Sequence, residues 1–475
     1  MRLRLPILAV ITALLQFTSL TLAADAPRPN VLFIAVDDLN DWVGCLGGHP
    51  QAKTPNIDAL AARGVNFTRA YCASPVCNPS RTALMLGLRS STTGVYSNNI
   101  DRRDSPVAMS VVPLNTHFHQ QGYYVAGAGK IYHGDGDQFG EWDDYAKARG
   151  GDLAPAAGAS GGVGGIRFAP IDAPDENMPD YNTVSYCIEQ LGRKHDKPFF
   201  LACGLHKPHM AWNVPRKYYD LFPLSSIELP KVLETDLDDV PPAGVRMAKP
   251  QGDHAQILES GRWKDAVQGY LAAGAFCDAM IGRLMKAFDQ SAYKDNTIIV
   301  FWGDHGWHLG EKQHWRKFTL WEEAARAPLF FVVPGMTKPD SHCERTVDFM
   351  SIYPTLCELC GLATPKHNEG VSIVSLLKDP AAPWDRPALT THGRNNHGVR
   401  TERWRYIRYA DGGEELYDHD ADPLEWKNLA KDPAMASVIA KLKASLPAKN
   451  VEDAPTKGGG GGGKAKKKKA KAKAE

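Results

Sequence analysis

Three stretches of the sequence are continuous apolar runs that end in polar clusters, and they constrain the fold more than any other feature. They are NVLFIAVDD at 30–38, PFFLACGLHKPH at 198–209 and NTIIVFWGDHGWHLGEK at 296–312. Strands that are apolar on both faces are typical of a parallel sheet covered by helices on both sides. We therefore predict an α/β fold with a large mixed, mostly parallel sheet flanked by helices.

In sheets of this kind the chemistry gathers outside the C-terminal ends of the strands. The residues that directly follow the apolar runs include three carboxylates and two imidazoles: Asp37, Asp38, His206, Asp304 and His305. The carboxylates with His305 form an oxygen-rich set that suits a hard ion such as Ca²⁺ or Mg²⁺ better than zinc. His308 and His314 keep zinc open as an alternative, although we expect both to be exposed loop histidines.

Basic side chains also follow apolar strands or turns flanked by glycine. They are Lys130, His133, His206, Lys207, His209 and Lys317. Singly, each is an ordinary solvated charge or a core histidine. A cation and several such donors around one nucleophile indicate a site for a tetrahedral oxyanion, either sulfate or phosphate.

Composition divides the chain into four parts. Residues 1–23 combine Arg2 and Arg4 with a mostly apolar stretch and a Thr-Leu-Ala cleavage site, which predicts an export signal, with a membrane anchor as the alternative. We predict a catalytic domain at 24–384, a small antiparallel-sheet subdomain with a final helix at 385–449, and a disordered Gly/Lys-rich tail at 450–475. The mature protein is then expected to be periplasmic or secreted.

The net charge of +1 conceals an uneven distribution. Residues 457–475 carry +7 and the signal segment carries +2, so that residues 24–456 are left with −8. A nucleic-acid-binding body would be basic, which excludes that function class. The basic tail is expected either to contact polyanions or to be solvated without a function.

One of the nine cysteines stands in an unusual setting, SPVCNPSR at 74–81. The other eight are irregularly spaced and predict no disulfide framework, and Cys357 and Cys360 fit buried helix cysteines or a local bridge better than a redox pair. The segment CNPSR matches the Cys-x-Pro-Ser-Arg element by which sulfatases of the alkaline-phosphatase superfamily mark a cysteine for oxidation to formylglycine. The resemblance extends through VLFIAVDD, GKIYHG, FFLACGLHKPH and GDHGWHLGEK, and it is greatest for the iduronate 2-sulfatase branch.

The resemblance implies an alkaline-phosphatase-like sulfatase fold with one calcium ion. The implied calcium ligands are Asp37, Asp38, Asp304, His305 and Cys77, the last as 3-oxoalanine (formylglycine), which is also the nucleophile. Among the other implied site residues, Arg81 holds the hydrated aldehyde, Lys130 and His133 flank it, and His206 and Lys317 contact the substrate sulfate. Lys207 and His209 match the same element and receive weaker roles.

The implied reaction uses both hydroxyl groups of the aldehyde hydrate. One attacks sulfur while the alcohol leaves with a proton from His206, and the other, deprotonated by a base such as His133, expels sulfate by C–O cleavage. The implied partners are a formylglycine-generating enzyme during maturation and a sulfated saccharide or polysaccharide substrate.

Two other functions stay open. Some phosphonate or phosphate ester hydrolases of the same superfamily use formylglycine, and a catalytically inactive sulfoglycan-binding relative would keep Cys77 as a thiol. The glycine-rich segment at 150–165 lacks the cysteine-bearing insertion expected in the iduronate 2-sulfatase branch. The sugar and the position of its sulfate are therefore not predicted, and choline sulfate and small aryl sulfates stay open as substrates.

Overall fold

The computed structural model describes residues 28–134, 140–146, 152–159 and 161–456. The predicted export signal at 1–23 and the part of the predicted tail at 457–475 lie outside these residues. Of the helices in the described ranges, none has the length and apolar character needed to cross a membrane.

Eight strands form the main sheet. They are β1 (Asn30–Val36), β2 (Val65–Phe67), β3 (Tyr124–Gly129), β4 (Asp144–Ala146), β5 (Phe199–Leu205), β6 (Thr297–Gly303), β7 (Leu329–Val332) and β8 (Ser341–Cys343). Their spatial order is β8-β2-β7-β6-β1-β5-β3-β4, and every neighbouring pair runs parallel except the two pairs that contain β7. The predicted α/β class with a mixed, mostly parallel sheet is confirmed.

The three apolar runs are the central strands β1, β5 and β6, and they are apolar throughout because helices cover both faces. The helices of seven or more residues are α1 (Pro55–Ala61), α2 (Cys77–Leu86), α3 (Leu114–Gln120), α4 (Pro179–Gly192), α5 (Pro242–Ala248), α6 (Asp253–Ser260), α7 (Trp263–Gln290), α8 (Ile352–Leu359) and α9 (Ala436–Lys443). Along β1, Leu32 and Ile34 join the core that contains α7, whereas Val31 and Phe33 join the core that contains α8. Successive side chains of a strand point to opposite faces, so both sets are buried.

A second sheet follows in the C-terminal part of the chain. Its strands β9 (Ala388–Thr391), β10 (His397–Arg400), β11 (Trp404–Arg408) and β12 (Glu414–Asp418) are antiparallel neighbours in chain order. Helix α9 packs Ile439 and Leu442 against this sheet. The predicted small antiparallel sheet with a final helix is therefore present.

The predicted tail begins too early at residue 450. The backbone N–H groups of Val451 and Ala454 donate to the carbonyls of Ser91 and Gly94 at 3.0 and 2.9 Å. Ala454 is buried with Val95. Residues 450–454 therefore pack against the body, because the backbone of this segment forms hydrogen bonds there that a composition-based prediction does not take into account.

The nine cysteines all lie in the described ranges and none forms a disulfide. Cys357 lies in α8 and Cys360 directly follows that helix, and both are buried. Of the two alternatives that the sequence left open, buried helix cysteines or a local bridge, the structure shows the first.

A buried ion-pair network connects the C-terminal sheet with the segment between β6 and β7, and its loss should have a large effect on stability. Arg405 of β11 is fully buried and pairs with Glu322 and Glu425. Arg405→Met would leave both carboxylates without this partner, and we expect it to lower the free energy of unfolding by about 3–5 kcal/mol in urea denaturation.

The matched control is Arg403→Met, because Arg403 is 51% exposed and pairs with Asp418. This variant should lower the free energy of unfolding by less than about 1 kcal/mol. Equal losses for the two variants would contradict the prediction.

Candidate active site

The acidic ends of β1 and β6 lie side by side. These strands are parallel neighbours with Val36 opposite Gly303, so the residues after each strand emerge at the same edge of the sheet. The backbone N–H of Asp38 donates to Asp304 Oδ1 at 3.0 Å. Asp38 has a φ of 58°, a left-handed conformation that is uncommon outside glycine. The two strand ends thus form one acidic cluster.

Helix α2 brings Cys77 to this cluster. Its Sγ lies 3.3 Å from His305 Nε2, 3.2 Å from Lys317 Nζ and 3.8 Å from Asp38 Oδ1. Arg81 follows one turn later on the same face of the helix. It is fully buried and donates from Nε to Asp304 Oδ2 at 2.8 Å. The thiol therefore lies where both strand ends, the helix and the loop with Lys317 meet.

The cluster has the ligands and the electrostatics that a hard cation needs. One ligand atom from each of Asp37, Asp38, Cys77 and His305 lies within 4.8 Å of the others. Within the described ranges, Asp38 Oδ2 is buried without a hydrogen-bond partner. Burial raises the pKa of Asp304 to about 7, against the charges of His305 and Arg81. Buried carboxylate oxygens with unused lone pairs fit an oxygen-preferring ion such as Ca²⁺ or Mg²⁺.

Two lysines neutralise part of this acidic charge and face the thiol. Lys130 pairs with Asp37, and Lys317 Nζ lies 2.6 Å from Asp38 Oδ1. Burial raises the pKa of the Cys77 thiol and so does Asp37, but Lys130, Lys317 and His305 outweigh both and hold the pKa well below its ordinary value. The position of the sulfur is therefore one that favours negative charge.

Two histidines stand at the opening of the site. The rings of His206 and His209 are 4.6 Å apart, with His206 Nδ1 3.7 Å from Asp37 Oδ2 and His209 Nε2 3.9 Å from Asp38 Oδ2. Burial and then the charge of His209 lower the pKa of His206 to about 3. Burial also lowers the pKa of His209, but Asp38 and Asp37 outweigh it and raise that pKa above its ordinary value. His209 thus belongs to the site as closely as His206 does.

The segment with these histidines is held by acids that the sequence analysis did not single out. Asp180, in the first turn of α4, accepts from the backbone N–H groups of His206 and Lys207, each at 2.8 Å. The Lys207 ammonium is buried and donates to Asp152 at 2.9 Å and to the Ala211 carbonyl. Lys207 therefore anchors the segment and does not face Cys77. No sequence pattern distinguishes either acid, because aspartates are ordinary residues at helix starts and in loops.

His133 lies apart from this cluster. Its side chain is exposed, two residues after the buried Ile131. Within the described residues, no hydrogen bond or ion pair joins it to Cys77 or to the acidic cluster. Its predicted role as a base is therefore not supported by a contact in this structure.

His308 and His314 are buried, so the expectation of exposed loop histidines is wrong. His308 Nε2 lies 2.8 Å from Thr319 Oγ1, and the two ring nitrogens of His314 each lie 2.6 Å from a carbonyl, of Ala248 and of Lys317. The loop that carries them folds back on itself, so that both imidazoles are buried beside these hydrogen-bond partners. Neither belongs to a potential metal-binding group of the described residues.

This chain is similar in sequence to proteins of a known family. The sulfatase family model matches residues 29–362, and the model of the N-sulphoglucosamine sulphohydrolase C-terminal region matches 310–452. The chain is 40% identical to a sulfatase of Formosa agariphila, over 90% of this chain and 88% of that protein, and 29% identical to mouse iduronate 2-sulfatase, over 87% and 93%.

A solved structure supports the fold. The phosphonate monoester hydrolase of Agrobacterium radiobacter superposes with a TM-score of 0.74 at 23% identity and covers 88% of this chain and 95% of its own. At that identity the likeness concerns the fold alone. The length of the family match and the 40% identical relative decide the assignment: the chain belongs to the sulfatase family of the alkaline-phosphatase superfamily and is a hydrolase.

Proposed function

We propose that the protein removes sulfate from a sulfated saccharide, in the manner of an iduronate 2-sulfatase, with a formylglycine made from Cys77 and one bound calcium ion. The observation that carries the proposal is the contact of Cys77 Sγ with Lys317 Nζ and His305 Nε2, beside the carboxylates of Asp37 and Asp38. The likeness to iduronate 2-sulfatase supports a sulfated uronic acid as the substrate class. We also propose that the protein is exported from the cytoplasm, because such polymers are accessible outside it.

The two proposed groups would add chemistry that the ordinary side chains lack. Formylglycine would supply a hydroxyl nucleophile through its hydrate. Calcium, held by Asp37, Asp38, Asp304, His305 and the formylglycine at position 77, would supply positive charge for the sulfate oxygens. Asp304 is included because His305 Nε2 is 3.6 Å from its Oδ1.

The side chains themselves bind the sulfate and position the nucleophile. Lys317 and Lys130 lie on the thiol side of the acidic cluster, where their ammonium groups can stabilise charge on the sulfate oxygens. Arg81 spans from Asp304 to the carbonyl of Ile131 and holds the start of α2 against the strand end. The nucleophile is thereby fixed before the substrate binds.

The leaving oxygen needs a proton, and the two histidines at the opening can provide it. His206 is the more exposed of the pair, with 37% of its side chain accessible against 28% for His209. His209, whose pKa is raised, holds a proton close to His206. We assign proton donation to His206. Its lowered pKa leaves the ring neutral at pH 7, so one ring nitrogen gives its proton to the leaving oxygen while the other takes up the proton held by His209.

We predict that His206→Ala lowers kcat/KM about a hundredfold or more for an alkyl or saccharide sulfate, because a poor leaving group needs the proton. The loss should be much smaller for nitrophenyl sulfate, whose leaving group is already stable as an anion. Steady-state kinetics on both esters would test this, with His209→Ala in parallel. Equal losses on both esters would contradict a proton donor at His206, and leaving-group dependence in His209→Ala alone would move the role to His209.

The proposed function is tested on protein produced together with a formylglycine-generating enzyme. We expect sulfate release from a 2-O-sulfated uronate disaccharide, with a higher kcat/KM than for a phosphonate monoester. Preference for the phosphonate would overturn the proposal in favour of a phosphonate hydrolase. Binding of the disaccharide without turnover by fully converted protein would overturn it in favour of a glycan-binding protein.

A further inference from the structure

The C-terminal sheet is attached to the segment that leads into the nucleophile. At the end of β9, Thr390 Oγ1 donates to the carbonyl of Cys72 at 2.7 Å, and the Thr391 N–H donates to the carbonyl of Ala73 at 2.9 Å. Cys77 follows four residues after Ala73. The turn that comes directly after Thr391 is therefore held beside the approach to the active site.

That turn has a defined shape. The His392 N–H donates to the Asn396 carbonyl at 3.1 Å, and Asn396 Nδ2 donates to the His392 carbonyl at 3.0 Å. Asn396 Oδ1 in turn accepts from the Ala410 N–H at 2.9 Å. These bonds fix the backbone from which the His392 ring projects.

The His392 ring meets the loop that carries Lys317. The next residue in that loop, Phe318, donates its N–H to the Pro75 carbonyl at 3.2 Å and has a φ of 79°. A left-handed conformation is costly for a bulky residue and persists where surrounding structure requires it, often at functional sites. The Phe318 and His392 ring centroids are 6.1 Å apart, and both side chains are partly exposed. A series of contacts thus runs from Cys77 through Lys317 and Phe318 to His392.

The chemistry of the two rings, Phe318 and His392, suits a sugar and not a sulfate. Within the described ranges, His392 Nδ1 is buried without a hydrogen-bond partner, which is uncommon for a polar atom in a folded protein. Burial, then the charges of His314 and Lys249, lower the pKa of His392 to about 4, so the ring is neutral at pH 7. A neutral imidazole offers one donor and one acceptor, which matches a hydroxyl group, and the Phe318 ring offers an apolar face.

We propose that His392 is a specificity-determining residue, which binds a hydroxyl group of the saccharide that carries the scissile sulfate, next to the Phe318 ring. This inference rests on the proposed function. It adds that the turn after β9 selects the saccharide that leaves when the ester is cleaved. The residues beyond the strand ends of the main sheet bind the sulfate, and the turn after β9 binds the sugar.

The test compares two esters on protein in which Cys77 has been converted. One ester is the 2-O-sulfated uronate disaccharide and the other is methylumbelliferyl sulfate, which has no sugar hydroxyl group. We expect His392→Ala to lower the ratio of kcat/KM for the disaccharide to that for the aryl sulfate about fivefold to tenfold, the worth of one neutral hydrogen bond. His392→Phe keeps a ring without nitrogen and should show the same loss. Thermal unfolding checks that both variants are folded.

Arg394→Ala is the matched control in the same turn. Arg394 is exposed and its guanidinium donates to the Asn450 carbonyl and to Glu452, so this variant should keep the wild-type ratio. If the wild-type enzyme cleaves the disaccharide and His392→Ala or His392→Phe keeps its ratio, this inference alone is overturned. If wild-type protein releases sulfate from neither ester, the proposed function fails, and the inference fails with it.

Discussion

Cys77→Ala is expected to lower kcat for sulfate release about a millionfold, which is the size of effect seen when an enzyme loses its nucleophile. The reason is geometric. Cys77 occupies the point where His305, Lys317 and Asp38 converge, and alanine leaves these groups with no reacting atom between them. The measurement is sulfate release from the disaccharide under saturating conditions.

A second cysteine supplies the control. Cys72 is buried five residues earlier, with its Sγ against the carbonyl of Ala324 at 3.8 Å. Cys72→Ala should therefore keep sulfate release. Mass spectrometry of the peptide that contains Cys77 should show the aldehyde or its hydrate in active wild-type protein. Full activity with an unmodified thiol would refute the proposed nucleophile.

Removal of the proposed calcium ion is expected to abolish most activity and to destabilise the protein. In protein stripped with a chelator, the buried carboxylates lose their cation, and returning calcium at a hundred times its Kd should raise the free energy of unfolding by about 2.7 kcal/mol. Asp38→Asn should remove most of this stabilisation, because Asp38 Oδ2 is buried without a hydrogen-bond partner inside the potential metal-binding group. We expect the activity of this variant to fall at least about a hundredfold.

The measurement is the shift of the thermal unfolding midpoint during a calcium titration. Asp41→Asn is the matched control, because Asp41 also has a buried oxygen without a hydrogen-bond partner but accepts from Arg326 at 3.0 Å and belongs to no potential metal-binding group of the described residues. It should keep the calcium-induced shift. An equal shift in Asp38→Asn and wild-type protein would contradict the assigned ligand, and full activity after chelation would contradict a role for the metal.

The central sheet could be predicted from local sequence because β1, β5 and β6 are buried on both faces. That burial requires continuous apolar runs, which no surface strand shows. The adjacency of Asp38 and Asp304 follows from the same reasoning, since parallel strands end at one edge of the sheet.

Other features depend on how loops fold back, and local patterns do not encode that path. His308 and His314 are polar residues in a loop, and their burial arises from the carbonyls that they meet under Lys317. His133 follows a glycine-flanked turn as predicted, yet its side chain points outward. Asp180 holds the His206 backbone from another element altogether.

The sequence by itself determined the fold class, the acidic strand ends and the Cys-x-Pro-Ser-Arg element, because each depends on neighbours in the chain or on strands that must be buried. Only the tertiary structure decided that Lys317 contacts Cys77 across 240 positions, that Lys207 anchors the His206 segment, and that His392 reaches Phe318. These contacts join residues far apart in sequence. Their distances are set by the packing of two sheets and the loops between them, which periodicity and composition do not specify.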